Sequence, residues 1–256
     1  MAETDDFGGK RQRDRRDQRL GRRKPHGLRV SSSFSGLASW SGSNTFRSAA
    51  GQGPAGSTAM GFGCVAMAAA VPATVQVLFG RSTGSTNGFW IQSDGSGLVT
   101  AKAVDGGGVV RTSSGYQLTS ADVTKMRVYL GVLTGGQLRL FVDGIQQGAD
   151  APCSGYSASG AGVETAIGSF SGAGSPATNF AILGTSMSNA TAPSATEAAL
   201  WNLVVRGRRR VVSLPAGTTH VWPQHPGAAD PWRDSIAGVV LSRAGTLTDA
   251  YGGAWT

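Results

Sequence analysis

The stretch Arg127 to Gly148, RVYLGVLTGGQLRLFVDGIQQG, restricts the fold more than any other part of the chain. Val128, Leu130 and Val132 alternate on one side of a first extended segment, and Leu138, Leu140 and Val142 on one side of a second. A period of two is the repeat of a strand with one buried face. Thr134-Gly135-Gly136 separates the two segments as a turn. Asp143-Gly144 follows the second, and this dipeptide suits a type I′ turn, whose central residues both need φ > 0. Ile145-Gln146-Gln147 then opens a third short strand, so the stretch reads as a β-meander.

Composition extends this reading to the whole chain. Thirty-nine glycines in 256 residues, with only 15% charged residues, describe many short strands joined by tight turns. No run approaches the ~18 to 20 consecutive apolar residues of a membrane span. The opening MAETDDFGGKRQRDRR has no apolar core after its charges, so no secretory signal is expected.

The pattern of aliphatic alternation, Gly-Gly, then Leu138-Arg139-Leu140-Phe141-Val142-Asp143-Gly144 resembles the central hairpin of concanavalin A-like lectin and glucanase domains, the laminin-G-like jelly rolls. Gly88 to Val99, GFWIQSDGSGLV, is similar to the family's preceding hairpin. Phe180 to Gly184, FAILG, and Glu197 to Val205, EAALWNLVV, resemble its closing strands. The resemblance covers roughly residues 34 to 206. It implies an all-β, antiparallel jelly-roll sandwich over residues 31–212, preceded by a basic arm, 1–30, and followed by an irregular Trp/Pro-rich extension, 213–256.

Along the sandwich, Val30 to Phe46 is expected to be the opening edge strand. Thr58 to Ala70 and Ala73 to Gly80 read as strands on either side of Pro72, the second alternating Val75, Val77 and Phe79. The Ala-rich end of the first has a helix as its alternative, which Gly61 and Gly63 oppose. Gly88 to Val104 forms a hairpin and Val109 to Tyr116 a further strand. Ala151 to Thr178 and Ser186 to Thr196 read as loops, which in the resembling family cluster at one rim and shape the binding face. Glu197 to Arg206 closes the sheet. The basic cluster Arg206, Arg208, Arg209 and Arg210 beyond it is a solvated turn or a docking patch. The extension carries Trp222, Trp232 and Trp255, and either folds back as an extra layer or packs on a neighbouring subunit. Gly238 to Leu247 within it looks like one more strand.

The arm is a different polymer. Residues 1–30 hold ten Lys or Arg against five acids, a net of +5 out of +8 for the chain. They have too few apolar residues to bury a face. Asp14, Arg15, Asp17 and Arg19 offer i,i+3 and i,i+4 pairs for a helix formed on a partner. A solvated tail and a nucleic-acid-binding segment are open readings, the latter opposed by interspersed acids and missing aromatics. The favoured reading is an anchor on a larger protein assembly, through Arg11, Arg13, Arg15, Arg16, Arg19, Arg22, Arg23 and Lys24.

Catalytic patterns are missing from the sequence. The ten acids after the arm never fall within three residues of each other. A glycosidase on this fold would need paired carboxylates facing one substrate. No nucleophile elbow and no phosphate loop is present. His26, His220 and His225 are scattered, so no metal or other cofactor is expected, and Cys64 and Cys153 read as two buried thiols rather than a disulfide. Lectin sites of the resembling family use an aromatic platform with Asn and Asp. That implies Asn87, Trp90, Asp94, Asn179 and Asn189 as glycan-binding candidates, with a core role as the alternative for Trp90.

Taken together, these parts lead to the expectation of a non-enzymatic structural protein of a phage or phage-like particle: a capsid decoration, head fibre or tail component. It would be made in the host cytoplasm and reside in the virion. Its expected partners are capsid or tail proteins, further copies of itself and surface glycans, without a membrane. A free carbohydrate-binding lectin module is the alternative, and a glycoside hydrolase the third.

Overall fold

The computed structural model describes residues 45–53, 56–84, 86–158, 160–172, 174–188, 218–223, 232–233 and 240–244, all within the unit Leu37–Thr256. The arm 1–30, residues 31–44, Asn189, the segment Glu197 to Arg206 and the cluster Arg206 to Arg210 lie outside the described residues.

In chain order the strands are β1 (Thr45–Arg47), β2 (Met60–Ala68), β3 (Gln76–Ser82), β4 (Gly88–Ser93), β5 (Leu98–Val104), β6 (Val110–Thr112), β7 (Tyr116–Gln117) and β8 (Met126–Thr134). They continue as β9 (Gln137–Val142), β10 (Ile145–Gln146), β11 (Ala151–Pro152), β12 (Ala166–Ile167), β13 (Phe180–Ser188), β14 (Thr218–Pro223), β15 (Trp232–Arg233) and β16 (Val240–Ala244). One sheet runs β15-β16-β1-β12-β3-β4-β5-β6, with β7 also on β5. The other runs β10-β9-β8-β2-β13-β14, with β11 also on β9. Neighbours distant in sequence, such as β2 with β8 and β13, arise because the chain crosses repeatedly between the sheets. The result is an all-β, antiparallel jelly-roll sandwich.

Aromatic rings join the two layers. Phe62 of β2 meets Phe89 of β4 at 4.8 Å between centroids, and Trp222 of β14 meets Phe79 of β3 at 5.9 Å. Burying side chains of this size supplies much of the non-directional drive for the fold.

The meander forms as its residues require. Asp143 and Gly144 both have positive φ, 49° and 81°, as do Gly135 and Gly136 at the preceding turn, 58° and 69°. Leu138, Leu140 and Val142 face the opposite sheet. The register pairs Leu133 with Leu138, Gly131 with Leu140 and Tyr129 with Val142. Directly paired residues share a face, so Tyr129 and Leu133 join the inner core. Val128, Leu130 and Val132 lie on the other face of the sheet and are buried there as well.

Several expectations are corrected. The strand at Thr45–Arg47 is not an edge: it lies between β12 and β16, because C-terminal residues that local pattern cannot place pair on its outer side. Val77 and Phe79 do not share a face. A bulge at Leu78 shifts the register and sends Val77 to an outer cluster with Trp90 while Phe79 stays in the main core. The strand expected over the Ala-rich run is, by contrast, present as the nine-residue β2, and its helical alternative is not. Ser186 to Ser188 belong to β13 rather than to a loop. The region after residue 213 is not simply an irregular layer, since β14 extends one sheet while β15 and β16 extend the other, the last within the expected Gly238 to Leu247 strand.

Candidate functional site

β3 runs from Gln76 to Ser82 and β4 returns from Gly88 to Ser93, with Gln76 opposite Ser93. Seven residues at about 3.4 Å each separate the ends of this hairpin by about 20 Å. Asn87 sits in the tight end, and Asp94 follows β4 at the other. Asn179 is fastened to the Asp94 end, where its backbone N–H donates to Gln76 Oε1 at 2.8 Å and Gln76 Nε2 donates to its side-chain oxygen. Asn87, Asp94 and Asn179 therefore do not form one rim. Successive turns of a meander alternate between the two ends of a sandwich, so turns one strand apart cannot share a rim.

Trp90 presents no open platform. It is 1% exposed, its ring stands edge-on to Phe170 at 5.5 Å, and its indole N–H donates to Gln92 Oε1 at 2.7 Å. The core reading of Trp90 is the one realised. Phe89, on the opposite face of the strand, is buried too, so both sides of β4 are covered.

The two remaining described candidates differ in kind. Asp94 Oδ1 accepts from the backbone N–H groups of Ser96 and Leu98 and from Ser96 Oγ. Its burial raises its pKa, but these bonds and the charge of Lys102 outweigh that and leave it below the ordinary range. This carboxylate shapes a turn. Asn87 accepts Ser82 Oγ on its backbone carbonyl, whereas its buried Oδ1 has no hydrogen-bond partner.

Around Asn87 the fold gathers groups that the sequence reading passed over. The loop after β1, the Asp105 turn, the Gly135-Gly136 turn and the loop after β11 all lie at this end. The bonds from Gly106 N–H to Ser154, Cys153 N–H to Gly136 and Gly88 N–H to Ser157 tie them together. Arg81 pairs across with Phe89 and is buried, donating Nη1 to the Gly53 carbonyl. Burial pulls its guanidinium pKa down, partly offset by Tyr156. The signal was present: Arg81 stands two residues after Phe79 and so shares its inward face.

The described acids are committed elsewhere. Asp105 holds its own loop and Arg111. Asp122 and Asp143 share Arg127, and Asp150 pairs with Arg139. Glu164 pairs with Arg47 and accepts from Gly172 N–H. Among the described residues no three His, Cys, Asp or Glu converge as metal ligands. Cys64 and Cys153 are both buried and unbridged, and burial pushes both thiols up. No helix among the described residues is long and apolar enough to cross a membrane.

No known protein family matches this sequence, and no curated protein matches it. In three dimensions the chain is similar to a SAP-like pentraxin from Limulus polyphemus, at 10% identity and a TM-score of 0.39, over 68% of this chain and 89% of that one. It is also similar to the enzymatically active domain of tailspike protein 2 from bacteriophage CBA120, at 14% identity and 0.39, over 63% of this chain and 26% of that one. A third likeness is to domains LG4-5 of the mouse laminin alpha1 chain, at 13% identity and 0.38, over 80% of this chain and 47% of that one. The chain thus spans less than half of the last two. Strand pairing, not these likenesses, defines the architecture.

Proposed function

We propose that this chain is a non-enzymatic structural protein of a phage or phage-like particle, a capsid decoration, head fibre or tail component, held by residues 1–30 and presenting its sandwich outward. The observation that supports this most is the partition of charge. Arg47, Arg111, Arg127 and Arg139 are all paired with carboxylates of the sandwich itself. The arm alone carries +5 of the net +8. A body in which these four arginines are paired, joined to an arm that carries most of the excess charge, suits a display domain with a separate attachment segment. Capsid or tail proteins, and further copies of the chain, are the neighbours in this reading. The engagement of six acids in turns and ion pairs supports a role without catalysis.

The alternative, a carbohydrate-binding module, draws on the buried unpartnered Oδ1 of Asn87 at the loop-rich end. Deleting residues 1–30 is expected to leave a folded β protein that no longer co-sediments with the particle. Undiminished incorporation would overturn the anchoring role. On a glycan array the full chain should give weak, selective binding that Asn87→Ala reduces, without cleavage. Strong glycan binding by a protein that never enters particles would favour the alternative.

A further inference from the structure

We infer that the Asp94 end of the sandwich seats on a protein of the assembly through an apolar loop centred on Val71 and Val75, while the Asn87 end points away from it. The inference rests on the attachment role proposed above and names the surface of the sandwich that makes the contact. Val71, Val75, Val109 and Ile145 are the large apolar side chains left exposed among the described residues. Three of them share the Asp94 end. Val71 and Val75 lie between β2 and β3, and Ile145 opens β10, just after the Asp143-Gly144 turn. Only Val109, on the Asp105 turn, stands at the Asn87 end. Residues 69–75, AAVPATV, carry no charge, and all but Pro72 are exposed.

This loop is ordered in the free protein. Bonds from Ala69 N–H to the Asn179 carbonyl at 2.8 Å and from Val77 N–H to the Ser175 carbonyl at 3.0 Å fix its two ends. A Cβ on Gly97 would lie 2.6 Å from Val71 Cγ1, so the Val71 side chain rests on the turn after β4. Apolar side chains that are already ordered lose little freedom on binding. The carboxylates of this end are engaged, Asp94 with its own turn and Asp122 and Asp143 with Arg127. Chain direction narrows the occupant. β1 is antiparallel to β12, and β12 to β3, so β1 runs from the Asp94 side toward the Asn87 side. Thr45, where the preceding chain joins β1, therefore stands on the Asp94 side, with Ala244 of β16 directly opposite. Residues 1–30, with their net +5, precede that join. An uncharged apolar centre joined to a basic segment fits a protein surface whose apolar patch is bordered by carboxylates. A second copy seated through the same face would bring two basic arms together. Phosphates would find no cation in the loop.

The test adds purified full chain to particles assembled without it and measures co-sedimentation across a concentration series. Val71→Asp combined with Val75→Asp should weaken binding by about tenfold or more. Val109→Asp, the same change at the opposite end, should bind as the wild type does. Unchanged melting temperatures show that folding is intact. Ala73→Asp, on the same exposed loop, takes the place of the double variant if Val71→Asp disturbs the packing on Gly97. Wild-type binding by the double variant, or an equal loss with Val109→Asp, would overturn the docking face. If deletion of residues 1–30 still abolished binding in that case, the anchoring role would stand without it. A wild-type dimer that the double variant converts to a monomer would assign the face to a second copy and likewise overturn the inference. Failure of the wild-type chain itself to bind particles would overturn the proposed function, and the inference with it.

Discussion

The ring of Phe62 occupies the space that a side chain on Gly131 would need. A Cβ built on Gly131 would lie 2.4 Å from Phe62 Cζ and 3.0 Å from Ala101 Cβ of the facing sheet. The two residues are direct partners across β2 and β8, so the absence of a side chain at 131 lets Phe62 lean over β8 and reach Phe89. Gly131→Ala is expected to destabilise the fold by about 1 to 3 kcal/mol through overpacking. Urea unfolding measures this, and a neutral result would show that Phe62 packs elsewhere.

Leu140 lies on the same strand face and is fully buried, whereas Phe141 beside it points outward and is half-buried. Leu140→Ala should cost about 2 to 5 kcal/mol by removing buried methyl groups and leaving a cavity. Phe141→Ala should cost less. The reverse order would mean that β9 is displaced by one residue.

The two asparagines at opposite ends of β3 should respond differently to truncation. Asn179→Ala removes the side-chain oxygen that accepts from the buried Gln76 Nε2, leaving Thr178 Oγ1 and the backbone N–H of residue 179 as that amide's partners, and is expected to cost about 1 kcal/mol. Asn87→Ala removes an Oδ1 that has no partner and should leave the melting temperature nearly unchanged. That makes Asn87 a clean probe for glycan binding. A large stability loss at Asn87 would show that its carboxamide holds the loops together.

Acid should weaken the protein through Asp122. Burial raises its pKa, but bonds from Tyr116, Arg127 and Thr119 dominate and hold it well below the ordinary range. A folded-state pKa below the unfolded value, about 3.9, gives stability that is complete above that pH and lost as pH falls toward the folded value. Denaturant midpoints should therefore be level from pH 7 to about 5 and fall below about 4. Asp122→Asn should lower stability at pH 7 and make the acid decline shallower. An unchanged decline would place the titration on Asp94, Asp105 and Asp150, which are also held low.

Trp90→Ala is expected to cost about 3 to 5 kcal/mol, because the indole fills a cluster with Val77, Val104 and Phe170. Acrylamide quenching of native fluorescence should be little changed in Trp90→Phe, since the buried indole contributes little accessible emission. A marked fall in quenching would mean that Trp90 is reached by solvent after all.

The sequence by itself determined what depends on neighbouring residues. The period of two in Leu138, Leu140 and Val142, the Asp143-Gly144 turn and the strand near Val240 are local properties, written in steric preferences that act over a few bonds. Even the inward direction of Arg81 was implicit in its spacing from Phe79. Only tertiary structure decided the rest. The bulge at Leu78 turns Val77 away from Phe79, and β16 closes over β1 to make an interior strand of it. Asn87 and Asn179 stand at opposite ends of the sandwich although both read as polar loop residues. Each of these follows from which distant strands pair and in what register. Pairing is settled by the simultaneous burial of both sheets, a property of the whole chain and not of any window within it.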